Sequence, residues 1–278
     1  MYIPYHRRPR FLQGKLIIMN YKTLTVSKKD DILTVSLNRA EVHNAMNETL
    51  MNELTACFKD ISQDDTIRIV ILTGNGKSFC AGADLNWMKS MVSYSIQENI
   101  KDSNLLLDLY NSIYLCPKPV IGKINGHAFG GGLGLVAVCD ITCAIPGLKF
   151  AFSEVNLGII PSVISTFVAK RISVSNMRRF FLTGERFDTT TAHEVGLIDY
   201  VLKPEELDSK IQNYVTQLQS SGPIAIKEVK NLLNMYQALD EESFKKFTVQ
   251  KISELRVSKE GQEGINAFLE KRKPKWRE

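Results

Sequence analysis

Two short β-branched runs, IRIVILT at 67–73 and PVIGKI at 119–124, constrain this chain more than any other feature. Neither alternates apolar with polar residues as a half-exposed strand does. A nearly continuous run of this length reads as a strand buried on both faces, the pattern of a parallel sheet covered by helices. Each run leads into a stretch of small residues and then into a helical pattern. The expected fold is therefore α/β.

The remaining elements are read around these two strands. TLTVS (23–27) and ILTVSL (32–37) flank a Lys-Lys-Asp-Asp turn and predict a hairpin. Asn47 is placed to cap a helix carrying Leu50, Leu54, Cys57, Phe58 and Ile61 at a 3.6-residue period. One long helix is expected from about Leu85 to Leu115, stopped by Cys-Pro-Lys-Pro. CDITCAI (139–145), KFAF (149–152) and IDYVL (198–202) read as further strands, and from Pro204 the pattern is helical and strongly charged. No internal repeat or low-complexity tract interrupts it. The expected division is an N-terminal extension at 1–18, a core at 19–203 and a C-terminal helical region at 204–278.

Composition narrows the function classes. With 44% apolar and 23% charged residues in 278, the chain can bury a large core. No apolar run approaches the roughly 20 residues of a membrane span, so no membrane association is expected. A net charge of +5 suits anionic small molecules and does not point to nucleic acid. Five cysteines without a CxxC pair read as reduced core residues of a cytoplasmic protein, and four scattered histidines suggest no metal site. Residues 1–18 carry Arg7, Arg8, Arg10 and Lys15 with no acid. They read as a disordered extension, or as a segment upstream of a working start at Met19. Their apolar stretch is too short for a secretory signal.

Candidate chemistry gathers after the two buried strands. Ser78–Leu85 (SFCAGADL) and Asn125–Gly134 (NGHAFGGGLG) both put small residues where strand gives way to helix. Backbone N–H groups there lack helical partners, and small residues let a ligand approach the main chain. The glycine-rich stretch matches neither the dinucleotide nor the P-loop pattern. Downstream, Glu154 stands alone in the apolar segment FAFSEVNLGIIP. A carboxyl group in such surroundings has a raised pKa and becomes usable in proton transfer, although a salt-bridged or edge-exposed glutamate fits the same pattern.

These segments resemble the enoyl-CoA hydratase/isomerase (crotonase) superfamily. FCAGADL, NGHAFGGGLGLVAVCD and FSEVNLGIIP carry the likeness, with LNRAEVHNAMN (37–47) and EGINAFLEKRKPKW (263–276) in the expected order. FCAGADLNWMK and LGIIPSVIS…RRFFLTGERFD are similar to bacterial methylglutaconyl-CoA and carboxygeranoyl-CoA hydratases. The resemblance implies a spiral of ββα units followed by helices that build a homotrimer or homohexamer. It further implies an acyl-CoA thioester substrate, with CoA part of that substrate and no separate cofactor. The N–H groups of Ala83 and Gly131 would form the oxyanion hole, with Glu154 catalytic. Val42, Ala81, Leu85 and Gly134 would line the substrate site, and Phe268 and Lys271 would reach a neighbouring subunit's CoA.

One departure matters. Hydratases of this superfamily use two glutamates, and the first falls where this chain has Gly134. Enoyl-CoA hydration would then rest on Glu154, one water and a second polar group, which a distal carboxylate on the substrate could supply. A double-bond isomerase using Glu154 as its single base is the alternative. The dehalogenase branch needs an aspartate where this chain reads Pro161-Ser162-Val163. RNA binding, known for a related hydratase, is a remote third reading, because the 90–115 stretch carries Glu98, Asp102 and Asp108. Asp84 is expected to cap a helix, Asp140 to anchor a turn and His127 to be a satisfied turn residue. Trp87 reads equally as pocket floor or core.

Overall fold

A computed structural model describes residues 21–277, so the expectations for 1–18 and for Met19 lie outside the described residues. The hairpin forms as β1 (Leu24–Lys29) and β2 (Ile32–Leu37), antiparallel, with Asp30 at φ 55° in its turn. Helix α1 (Glu48–Gln63) follows, and the Asn47 side chain accepts from the Leu50 N–H at its start. The two buried runs are β3 (Ile69–Gly74) and β5 (Val120–Ile124).

A repeated unit then organises the core. After β3 the chain makes the short strand β4 (Ser78–Cys80), then helices α2 (Leu85–Met91) and α3 (Ile96–Tyr114). After β5 come β6 (His127–Phe129) and α4 (Gly131–Ala137). Next are β7 (Ile141–Ala144), β8 (Lys149–Ala151) and, past a 3₁₀ turn at Glu154–Leu157, α5 (Ser162–Val168). The chain continues through α6 (Val174–Thr183), β9 (Phe187–Asp188), α7 (Thr189–Glu194) and β10 (Tyr200–Val201).

The pairs β3/β4, β5/β6 and β7/β8 each send their first member to one sheet and their second to another. The larger sheet runs β1-β2-β3-β5-β7-β10 and is parallel from β2 onward; the smaller runs β4-β6-β8-β9. This is a spiral of ββα units. Strands β4 and β6 lie inside the two stretches that sequence alone reads as loops. With three residues each, they are too short to show a period.

Both faces of β3 are covered, as its continuous apolar run requires. Ile69 packs with Leu207, Ile211 and Val215, which form an i, i+4, i+8 stripe on α8 (Pro204–Gln219), while Val70 and Leu72 join the main core with α1. The chain ends in α9 (Pro223–Ala238), α10 (Glu241–Val257) and α11 (Lys259–Leu269). The long helix expected over 85–115 is two helices. Ser95 caps α3 with a full capping box, its Oγ accepting from the Glu98 N–H while Glu98 takes the Ser95 N–H at 2.8 Å.

Candidate active site

Two loops meet at the top of the spiral, and hydrogen bonds on one edge fix where their N–H groups point. Met46 forms a parallel bridge to Ala83, donating to the Gly82 carbonyl at 2.7 Å and accepting from the Asp84 N–H at 2.8 Å. In a parallel bridge the opposed residue turns its own N–H the other way. Ala83 therefore directs its N–H away from Met46, and no partner accepts it among the described residues. Asp84 locks the far side of this turn. Its carboxylate accepts from the Asn86 N–H at 2.8 Å and pairs with Arg39 at 2.8 Å. Burial alone would raise its pKa, but these bonds outweigh it and hold the carboxyl below its usual range.

The second loop is pressed against the first. Gly82 has φ 92°, and a Cβ there would stand 2.8 Å from the Phe129 carbonyl oxygen, so glycine is needed for both conformation and clearance. At Gly131, the first residue of α4, a Cβ would lie 2.2 Å from Met46 Cε, at the flexible end of that side chain, and 3.0 Å from the Tyr110 hydroxyl. The Gly131 N–H is also without a partner among the described residues, as expected at a helix start.

Glu154 completes the arrangement. Ala83, Gly131 and Glu154 line one cavity of about 210 Å³. Apolar side chains form most of its wall, among them Met46, Trp87, Met91, Leu106, Ile160 and Ile164. Glu154 Oε2 is buried without a hydrogen-bond partner, and no salt bridge reaches the group among the described residues. Burial accordingly raises its pKa, opposed only by its own backbone N–H. The salt-bridged alternative is not what the fold builds. Two unpartnered donors thus share a largely apolar cavity with one buried carboxyl, an arrangement chemically able to stabilise an oxyanion while a proton moves nearby.

The other expected site residues are placed unevenly. Val42, Ala81 and Leu85 lie outside this cavity, with Leu85 74% exposed; the Ala81 N–H donates to the His43 carbonyl beside Val42. Phe268, 82% exposed, and Lys271 belong to the C-terminal helical region and do not line the cavity of their own chain. Gly134 is likewise outside the lining of this cavity. It is buried, and a Cβ there would stand 2.5 Å from Tyr110 Cζ and 2.6 Å from Ile164 Cγ2. The space that a glutamate would need is filled by a phenol ring, so Gly134 does not touch the cavity.

Tyr110 itself was not anticipated. Fully buried, it donates from its hydroxyl to the Gly131 carbonyl at 2.7 Å and so steadies the residue that presents the second N–H. Its only sequence signal is a Leu106–Tyr110 spacing on a helix, common to any core residue. Trp87 proves to be cavity lining, its indole N–H donating to Asp102 Oδ1 at 2.9 Å. His127 Nδ1 accepts from the Lys149 N–H, and Asp140 takes the Val120 N–H at 2.7 Å. Both are therefore the structural residues expected. All five cysteines are buried and unpaired, and burial pushes the Cys80 thiol up to about 12.

A family model for enoyl-CoA hydratase/isomerase matches residues 27–278. The chain belongs to the enoyl-CoA hydratase/isomerase family. It is 30% identical over 257 residues to the short-chain-enoyl-CoA hydratase of Clostridium acetobutylicum, covering 92% of this chain and 97% of that one. The crotonyl-CoA hydratase of Syntrophomonas wolfei matches to the same degree, 30% over 257 residues with 92% and 98% covered. A solved enoyl-CoA hydratase from Shewanella pealeana superposes with a TM-score of 0.90 at 35% identity, covering 95% of this chain and all of that one. Like these relatives, the chain is an enzyme of the crotonase superfamily, and the ββα spiral with its C-terminal helices is the superfamily's fold.

Proposed function

We propose that this enzyme hydrates an α,β-unsaturated acyl-CoA with Glu154 as the only carboxylate at the reacting carbons. The carrying observation is the shared cavity: two unpartnered N–H groups and one unpaired carboxyl against apolar walls. With the thioester oxygen between Ala83 and Gly131, a water oxygen bonds to C3 and its proton passes to Glu154. The displaced π electrons move onto the thioester oxygen, where each N–H contributes about 3 kcal/mol. Glu154 then returns that proton to C2 as the enolate collapses. One group serves as base and acid in turn, which a burial-raised pKa suits.

Isomerisation is a second reading, and the Gly134 environment favours it. Shifting a double bond needs one base and no activated water, and here the position of the first glutamate, Gly134, is packed with Tyr110 and Ile164. Incubation with crotonyl-CoA and with a 3-enoyl-CoA separates the two. Hydration consumes the conjugated thioester absorbance, whereas isomerisation of the 3-enoyl ester creates it. Activity on the 3-enoyl ester alone would overturn the hydratase reading.

Likeness to methylglutaconyl-CoA and carboxygeranoyl-CoA hydratases would place a carboxylate on the acyl group. The lining of this cavity includes no lysine or arginine to meet it. Assembly into trimers or hexamers is proposed from the family likeness, supported by the exposed row Val229, Leu233 and Tyr236 on α9.

A further inference from the structure

We propose that Asp102 sets the acyl preference of this cavity, admitting neutral acyl groups and rejecting those that end in a carboxylate. The inference rests on the acyl-CoA reading and adds a property of the substrate. Residues 102, 106 and 110 recur at i, i+4 and i+8 along α3 and so share one face of that helix. Tyr110 ends this face at the oxyanion donors, through its bond to Gly131. Leu106 continues the wall, and Asp102 stands about 12 Å from Tyr110 along the helix axis, a little over two turns at about 1.5 Å per residue. An acyl chain whose carbonyl sits at Ala83 and Gly131 runs along this wall toward Asp102.

The charge at that end is one-sided. Trp87 binds Asp102 Oδ1 and leaves Oδ2 free of partners among the described residues. No cation lines the cavity. Asp102 also borders the groove on the other side of α3, where the one cation, Lys101, stands among Glu48, Glu98 and Asp108 and makes no salt bridge to Asp102 among the described residues. Glu154 adds a second carboxyl to the same enclosure. An entering carboxylate would therefore lose water and gain only like charge. At a separation of about 6 Å and an effective dielectric of about 40, that repulsion weakens binding about tenfold.

The test is binding, which does not depend on turnover. Dissociation constants of glutaryl-CoA and its monomethyl ester are measured by calorimetry at pH 8; the two differ by one charge and neither can be hydrated. The wild type should bind the ester about tenfold more tightly at about 10 mM salt, and the gap should shrink toward unity near 1 M, where screening is short-ranged. Asp102→Asn should reduce the gap to less than about twofold. Equal wild-type affinities, a gap insensitive to salt, or a full gap in Asp102→Asn would each overturn the inference. The wild-type salt series decides alone if the variant does not fold. Failure of both ligands to bind would instead overturn the acyl-CoA reading beneath it.

Discussion

Replacing Gly134 with alanine sets two opposing effects against each other. Alanine is favoured over glycine inside a helix by about 1 kcal/mol, so propensity alone predicts a more stable protein. The structure predicts the reverse. The new methyl would stand 2.5 Å from Tyr110 Cζ, 2.8 Å from Tyr110 Cε1 and 2.6 Å from Ile164 Cγ2. Neither neighbour gives easily. Tyr110 is fully buried, tied to Gly131 and packed against Phe167 at 5.6 Å between ring centroids, while Ile164 is buried on α5. Overpacking of this kind costs about 1–3 kcal/mol. With three contacts under 3 Å the cost belongs in the upper part of that range, about 2–3 kcal/mol, so the net expectation after subtracting the helix gain is a loss of about 1–2 kcal/mol. In urea unfolding this appears as a lower midpoint at unchanged slope. Ile164→Ala in the same chain should make Gly134→Ala less harmful, a non-additivity that a double-mutant cycle measures. Gly134→Glu should be worse than alanine, because it adds a buried charge, and it should not raise the hydration rate. A Gly134→Ala protein at least as stable as the wild type would refute the packing account of the missing glutamate.

Other consequences follow from single groups. Glu154→Gln should raise unfolding free energy by roughly 1–3 kcal/mol at pH 8, because it removes an unpaired buried charge. Its folded pKa is raised above the ordinary 4.5, so the wild-type penalty is absent below that value, grows through the raised pKa and is constant above it. A gain equally large at pH 4 would contradict this. Asp84→Ala should cost about 2–4 kcal/mol at neutral pH by removing a cap and leaving Arg39 half-buried without its partner. Because the Asp84 pKa is depressed, that difference narrows as pH falls through it, which denaturant titrations across pH would detect. Leu233→Asp, on the exposed α9 row, should shift sedimentation toward the monomer, and an unchanged sedimentation coefficient would count against that interface.

Much of the fold was legible because its signals are local. The hairpin, the Asn47 cap and the two buried strands each announce themselves within a few residues. The paired sheets were harder. Strands β4 and β6 are three residues long and stabilised by partners about 50 residues apart, so no window of sequence contains their cause. The break at Ser95 was readable in principle, since Ser95-Ile96-Gln97-Glu98 has the capping-box spacing. At the site, Ala83, Gly131 and Glu154 line one cavity, and what singles them out in the sequence is the family resemblance together with the small or apolar residues around them. Tyr110 and Asp102 did not stand out, because their significance comes from what α3 lies against.

The central claim is that Glu154 alone moves the proton while Ala83 and Gly131 hold the oxyanion. It is tested most directly by following loss of the conjugated absorbance of crotonyl-CoA with the wild type and with Glu154→Gln, alongside the affinity of each for butyryl-CoA. The account predicts that hydration falls by about 10²–10⁴-fold in the variant while the saturated thioester still binds within a few-fold. A Glu154→Gln enzyme that hydrates crotonyl-CoA at the wild-type rate would contradict it.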